Sequence, residues 1–535
     1  MVLIKKITCI LFLLISVVWS QNPTVGVLFS NNGATEGYTL FTPEVNNSVY
    51  LINNCGEKIN EWTFTEFPGI TCYLLENGTL LRAGDNLLEI RDWDNTVLWS
   101  YEIQANGINQ HHDIEPLPNG NILCVVRDTY LRNDIIAYGK DPLKVGAYID
   151  LDKIVELKPI GANDAEIVWE WKFIDHLIQD HDATKLNYGN VQNHPEKIDI
   201  NYVDPYFEAS DRGYTHVNSI DYNASLDQII ISARHLNEIY IIDHSTTLVQ
   251  ASGNTGGNFN RGGDILWRWG NPMVYKQGGA DDQKLFLQHD AKWVEPGYLD
   301  AGKISVFNNG GEDFRLYSSV HLISPEIIDN AYLKDNNTFK PIYFNWSWSG
   351  TILGKTMFEN KKSGAHSLPN GNFIICETSL GQVSEITKTG ELVWTYKNPS
   401  GNRIFNQFEN ISTNFNSIFR AEKYPANYIG FSGKDLTPKG LIENENSISN
   451  ACATLNIVQD EIDNVRVINP VVGNVLKFSK KIELDAIRII DINGRVTFTS
   501  KNFLGDHVLI NVNSGFYFIE FEKERIIKRI KIIVN

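Results

Sequence analysis

Four segments set histidine among polar residues in a chain otherwise patterned for β-structure. They are Gln-His-His-Asp at 110–113, Thr-His-Val-Asn at 215–218, Ser-Ala-Arg-His at 232–235 and Gln-His-Asp at 288–290. Near neutral pH, imidazole can attack an electrophile, shuttle a proton or donate a hydrogen bond. Arginine adds a permanent planar charge shaped for an oxyanion. Gathered in one place, His112, His216, His289 and Arg234 would suit transfer of an anionic group. Asn218 lies two residues after His216, on the same face of a strand, and could donate to the same anion. Thr378 is a further candidate donor. Strand alternation puts His111 and His112 on opposite faces, so only one of that pair, and only one of Arg234 and His235, should reach the site. His366, in Gly-Ala-His-Ser, is either a further site residue or a blade-closing histidine, the structural role being favoured.

Residues this far apart in sequence meet only where strands converge, and a loose repeat supplies the strands. Its kernel is an Asn-Gly turn, two short apolar strands and a strand containing tryptophan. One copy spans 75–103 and another 368–399, with partial copies ending at 167–173, 265–270 and 344–350. Asn-Gly between apolar runs predicts a hairpin. A repeated unit of short antiparallel strands predicts propeller blades. Five clear copies, with tryptophans at 99, 169, 267, 346 and 394, plus one degenerate copy predict an all-β, six-bladed β-propeller over 21–454. Residues 21–60 read either as a small N-terminal β module or as part of the closing blade.

The order His112, His216, Asn218, Arg234, His289 resembles the active site of the nucleotide-independent arylsulfate sulfotransferases. The surrounding segments HHDIEPLPNGNIL (111–123), HVNSIDYN (216–223), IISARHLNEIYIID (230–243) and LFLQHDAKWV (285–294) carry the likeness, which covers roughly residues 25 to 430. The resemblance implies a propeller enzyme that moves a sulfuryl group from an aryl sulfate to a phenol by a ping-pong route through sulfohistidine at His289. It implies that His112 and His216 divide proton transfer and oxyanion binding between them, in an order left open, and that Arg234 grips the sulfate. Some members carry a disulfide shortly before the nucleophile. Here no cysteine lies between Cys124 and Cys376.

A net charge of −17 argues against nonspecific nucleic-acid binding. No phosphate-cradling or dinucleotide motif is present, and no cofactor is expected. The histidines lack HxH or HExxH spacing and share their site with Arg234, so no catalytic metal is expected. A structural calcium would sit in the loop at 281–282 or at the propeller axis. Lys5 and Lys6 followed by the apolar run 7–19 read as a signal peptide ending near Ser20, which implies a secreted or surface protein. Five cysteines follow it, with Cys55 and Cys72 the most local candidate disulfide. From about 455 the character changes to a β-sandwich-like domain (455–535), in which residues 465–535 read as seven or so short strands. Asn469-Pro470, IIDINGRV and Ser-Gly-Phe-Tyr-Phe-Ile in this tail resemble the type IX secretion sorting domain of Bacteroidetes, which implies that machinery as a partner. The rival from another class is a non-catalytic surface propeller that binds glycans or proteins.

Overall fold

The computed structural model describes residues 23–67, 69–84, 86–204, 213–312, 314–444, 467–492, 494–523 and 526–535. The signal-like segment and the 455–466 stretch lie outside the described residues. Among those described, no helix is long and apolar enough to cross a membrane.

Six four-stranded antiparallel sheets follow one another along the chain. Blade 1 runs from Thr71–Leu74 to Val97–Tyr101, blade 2 from Gln110–Pro116 to Asp164–Lys172 and blade 3 from Val217–Asn223 to Trp267–Trp269. Blade 4 runs from His289–Trp293 to Trp346–Trp348, and blade 5 from Gly364–Ser367 to Leu392–Lys397. Blade 6 is assembled from both ends of the chain. Its inner strand, Ile418–Pro425, pairs with Gly37–Pro43, and Ser48–Asn53 and Lys58–Thr63 complete it. Gly26–Ser30 adds a fifth strand to the outer edge of blade 5. Residues 21–60 therefore belong to the ring and form no separate module. The inner strand of each blade contacts that of the next, and blade 6 contacts blade 1, so the ring is closed.

The sequence explains the middle strands. Gln228–Ala233 (QIIISA) and Glu238–Asp243 (EIYIID) are buried at every position. Each blade is covered on both faces by its neighbours, which favours continuous β-branched runs over alternation. The predicted Asn-Gly hairpins form, with Gly78, Gly120 and Gly371 at positive φ, as such turns require. The repeated tryptophans lie on the outer strands, and each indole N–H donates to the next blade. Trp99 reaches the Asp164 carbonyl, Trp169 the Thr246 hydroxyl, Trp267 the Lys340 carbonyl, Trp346 the Lys388 carbonyl and Trp394 the Asn54 carbonyl. Trp62 supplies the sixth link, from blade 6 to the Asp92 carbonyl of blade 1, and marks the degenerate copy. Replacing a fully buried indole with alanine costs about 3–5 kcal/mol in well-packed cores, so these residues hold the ring at its rim.

Two expectations are corrected. Cys72 is free and buried, as are Cys124 and Cys376, whereas Cys55 is disulfide-bonded. The Cys55–Cys72 pair therefore does not form: Cys72 lies within blade 1 against the Thr42 hydroxyl of blade 6. The tail is not seven short strands. Its described residues form one antiparallel sheet of four longer strands, ordered Val496–Leu509, Val475–Asp491, Gly515–Lys523 and Ile526–Val534. A register shift between Lys477 and Ile482 lets one continuous 17-residue strand occupy a stretch whose apolar pattern breaks midway.

Candidate functional site

The inner strands enter the ring irregularly, and the irregularity builds the site. Opposite Val125, blade 2 sets three residues, 111–113, against one, with His112 at φ 58°. His216 precedes the blade 3 strand at φ 48°, followed by a bulge at Asn218. In blade 4 a register shift follows His289, and Asp290 has φ 56°. Bulges re-aim side chains and left-handed residues are rare outside glycine. They recur at three of the histidine motifs.

These kinks bring His112, His216, Arg234 and His289 together. The His112 ring meets His216 edge-on at 4.8 Å between centroids. His216 stacks on His235 at 4.4 Å. Arg234 Nη1 lies 2.7 Å from His235 Nε2, and His235 Nδ1 donates to the Gly213 carbonyl at 2.6 Å. The expectation that only one of Arg234 and His235 reaches the site fails, because both occupy a 3₁₀ turn, Arg234–Leu236, where strand alternation does not apply. His111 is corrected for a similar reason: the bulge turns it toward His112, their Nδ1 atoms 2.7 Å apart.

His289 is 2 % exposed. Its Nδ1 donates to Asn309 Oδ1 at 2.8 Å and faces the Leu287 carbonyl at 3.0 Å. Its Nε2 accepts the backbone N–H of Lys362 at 3.1 Å. With an acceptor-only carbonyl against one nitrogen and an N–H against the other, the proton is assigned to Nδ1 and the lone pair to Nε2. Burial, then the Arg234 charge and His216, hold the imidazole well below its usual range, so it is neutral near pH 7. Burial and Arg234 pull His216 down to about 4. Burial, followed by the surrounding imidazoles and Arg127, keeps His112 far below normal as well. Burial alone lowers the Arg234 guanidinium to about 10.

Asn218 and Thr378 support the cluster. Asn218 donates to the Gln288 carbonyl at 2.7 Å, fixing the backbone just before His289. Thr378 occupies the same turn in blade 5 that Arg234 occupies in blade 3, each turn closing on a left-handed residue, Gly381 and Asn237. Its hydroxyl accepts the Ser363 N–H at 2.9 Å and so anchors the segment carrying Lys362. Asn309 is tied to the same segment through the Lys362 carbonyl. Arg234 Nη2 donates to the Asn360 carbonyl at 3.3 Å. A cavity of about 290 Å³ opens beside the cluster, lined by Arg234, Leu287, Phe286, Phe314, Asn360 and Lys361 among others. The Phe286 and Phe314 rings lie 5.2 Å apart there.

Below the histidines, all six inner strands contribute to a polar hub on Arg420. Its guanidinium lies 2.7 Å from Asp113 Oδ2 and 2.9 Å from Asp290 Oδ1. It also reaches the Asn218 carbonyl and the Tyr73 hydroxyl. His366 sits 4.0 Å from Asp290 and 3.4 Å from Glu422. Among the described residues, no group of three or more histidine, cysteine or acidic side chains is arranged to hold a metal. Asp282 instead accepts the Gly279 N–H. Sequence reasoning missed Asp152, Asn309, Lys362 and Arg420. Only Arg420, next to Ile418, Phe419 and Ala421 in its strand, left a visible signal.

No curated protein matches the sequence. Among solved structures, the chain is similar to a Bacteroides caccae protein of unknown function (13 % identity, 72 % of this chain and 98 % of that one, TM-score 0.36). It is also similar to virginiamycin B lyase from Staphylococcus aureus (10 %, 70 % and 88 %, TM-score 0.32) and to the β-propeller domain of Myceliophteria thermophila Cps50 (Swd1) (11 %, 72 % and 88 %, TM-score 0.34). Residues 74–322, which hold His112, His216, Asn218, Arg234 and His289, match the model of the arylsulfotransferase (ASST) family, and this match supports kinship with that family.

Proposed function

We propose that the protein transfers a sulfuryl group from an aryl sulfate to a phenol through a covalent intermediate on His289. The observation that carries the reading is the state of that imidazole: neutral, with Nδ1–H held by Asn309 and Nε2 accepting the Lys362 N–H, under the charge of Arg234, which itself lines the aromatic cavity. In the first half-reaction Nε2 attacks sulfur, the S–O(aryl) bond breaks, and its electron pair leaves on the phenolate oxygen, which takes a proton from a neighbouring imidazole. Arg234 balances the charge spread over the non-bridging oxygens, as positioned cations do in phosphoryl transfer. The Lys362 N–H, which Nε2 accepts at 3.1 Å, is freed when the N–S bond forms and donates instead to one of those oxygens. A phenol then reverses the sequence. Phe286 and Phe314 suit the aryl portion by offset or tilted ring contact.

The test is incubation with 4-nitrophenyl sulfate alone. One sulfuryl group should appear on His289, labile in acid and discharged by added phenol, and His289→Asn should neither label nor turn over. Turnover by that variant, or loss of activity with chelator, would sink the proposal.

A further inference from the structure

The His111–His112 pair does not stand alone. His111 Nε2 lies 2.8 Å from Asp152 Oδ1, and the other oxygen of Asp152 accepts the Thr215 hydroxyl and the Val217 N–H, both at 2.6 Å. Asp152 thus ties the middle of blade 2 to the strand entry that bears His216. Although burial opposes ionisation, the His111 charge and these donors hold its carboxyl below the usual range. An ionised carboxylate only accepts, so it fixes a proton on His111 Nε2. Between the two Nδ1 atoms, 2.7 Å apart, one proton is shared.

We propose that Asp152 and His111 act as a proton reservoir for His112, which exchanges a proton with the leaving and entering phenol oxygens. This rests on the sulfuryl-transfer reading. The need for a reservoir follows from the surroundings of His112. His111, Arg127, His216 and His289 all face it, with Arg234 behind His216. Burial and these groups disfavour a positive charge on His112 itself. On His111 the charge is offset by Asp152. In the loaded state His111 holds both N–H protons, one on Asp152 and one on His112 Nδ1, while neutral His112 carries its own proton on Nε2. As the aryl–oxygen bond breaks, the phenolate takes the Nε2 proton and the shared proton crosses from His111 to His112. One proton leaves and one shifts, and His112 stays neutral throughout. The entering phenol returns the proton along the same line. Asp152 and His111 act through His112 and are positioning residues, while His112 is the catalytic group.

The experiment compares His111→Gln and Asp152→Asn with the full-length parent on phenyl sulfate and 4-nitrophenyl sulfate. The nitrophenolate departs readily without a proton, whereas phenolate does not. With the reservoir removed, kcat/KM for phenyl sulfate should fall about 10²–10⁴-fold, the usual worth of positioned acid–base catalysis. The loss for the nitrophenyl ester should be under about tenfold on the same reasoning. Equal losses on both esters, or none, would overturn the inference. If Asp152→Asn does not fold, His111→Gln decides alone. If the parent itself fails to label His289, the underlying reading has failed instead.

Discussion

Arg420→Met removes the cation at the hub of the ring while keeping most of its volume. The structure indicates where the cost falls. Asp113 keeps three donors without Arg420: the Tyr73 hydroxyl at 3.0 Å and the N–H groups of Ile114 and Ile220 at 3.0 and 3.1 Å. Asp290 is fully buried, and neither oxygen has a well-angled hydrogen bond. Its 2.9 Å contact with Arg420 Nε is thus a Coulombic pairing, and beyond it stand His366 at 4.0 Å and the weaker influence of the Lys292 ammonium. Leaving one buried charge of a pair uncompensated costs about 3–5 kcal/mol, and here that penalty sits on Asp290. Asp290→Asn in the Arg420→Met background should therefore recover roughly half of the loss, a coupling of the size found between touching residues. The pH dependence has a definite sign. In the parent, burial is outweighed by Arg420 and His366, which depress the Asp290 carboxyl. Its contribution is present above the unfolded value of about 3.9 and is lost as pH falls through the folded value. Without Arg420 the folded carboxyl rises instead, so the variant's deficit should shrink as pH drops toward 4, on the same linkage. Denaturant unfolding followed by tryptophan fluorescence reads both effects, since Trp62, Trp171, Trp267 and Trp394 are fully buried. A double variant less stable than Arg420→Met, or a deficit independent of pH, would refute the reasoning.

Two further outcomes follow. Arg234→Lys should lower kcat/KM about 10²-fold or more, because a point charge cannot reproduce the planar fork, and steady-state kinetics showing parental activity would remove Arg234 from the sulfate. His244 bridges Glu156 and Asp227 at 2.9 and 2.7 Å. Although burial opposes it, these bonds raise the imidazole's pKa, so the stabilisation is full below the unfolded value of about 6.5 and fades as pH rises through the folded one. His244→Gln should cost roughly 1–3 kcal/mol at pH 5.5 and less at pH 9, and equal losses at both in denaturant titrations would contradict this.

What the sequence made legible was local or repeated. Outer-strand tryptophans recur at each blade and Asn-Gly turns at three of them, so their pattern carried the ring. His112, His216, Arg234 and His289 stood out because histidine and arginine interrupt apolar strands. The failures share a physical origin in backbone that departs from strand periodicity. The bulge at 111–113 cancels the alternation that would turn His111 away, and the 3₁₀ turn at Arg234–Leu236 does the same for His235. Asp152, Asn309 and Lys362 matter only through partners at distant positions, Lys362 through its backbone N–H, and a side-chain pattern cannot report that.

The pairing of Thr39 with Lys423 has a consequence for how this protein comes into being. Closing a loop of roughly 380 residues costs about 5 kcal/mol in chain entropy, and nothing repays it until both ends are present. The last inner strand also brings Arg420, so Asp113 and Asp290 face each other without their cation in any chain cut short before it. A nascent or truncated polypeptide can stack five blades yet holds neither a sealed ring nor a balanced axis. Closure of the ring thus waits on its last inner strand.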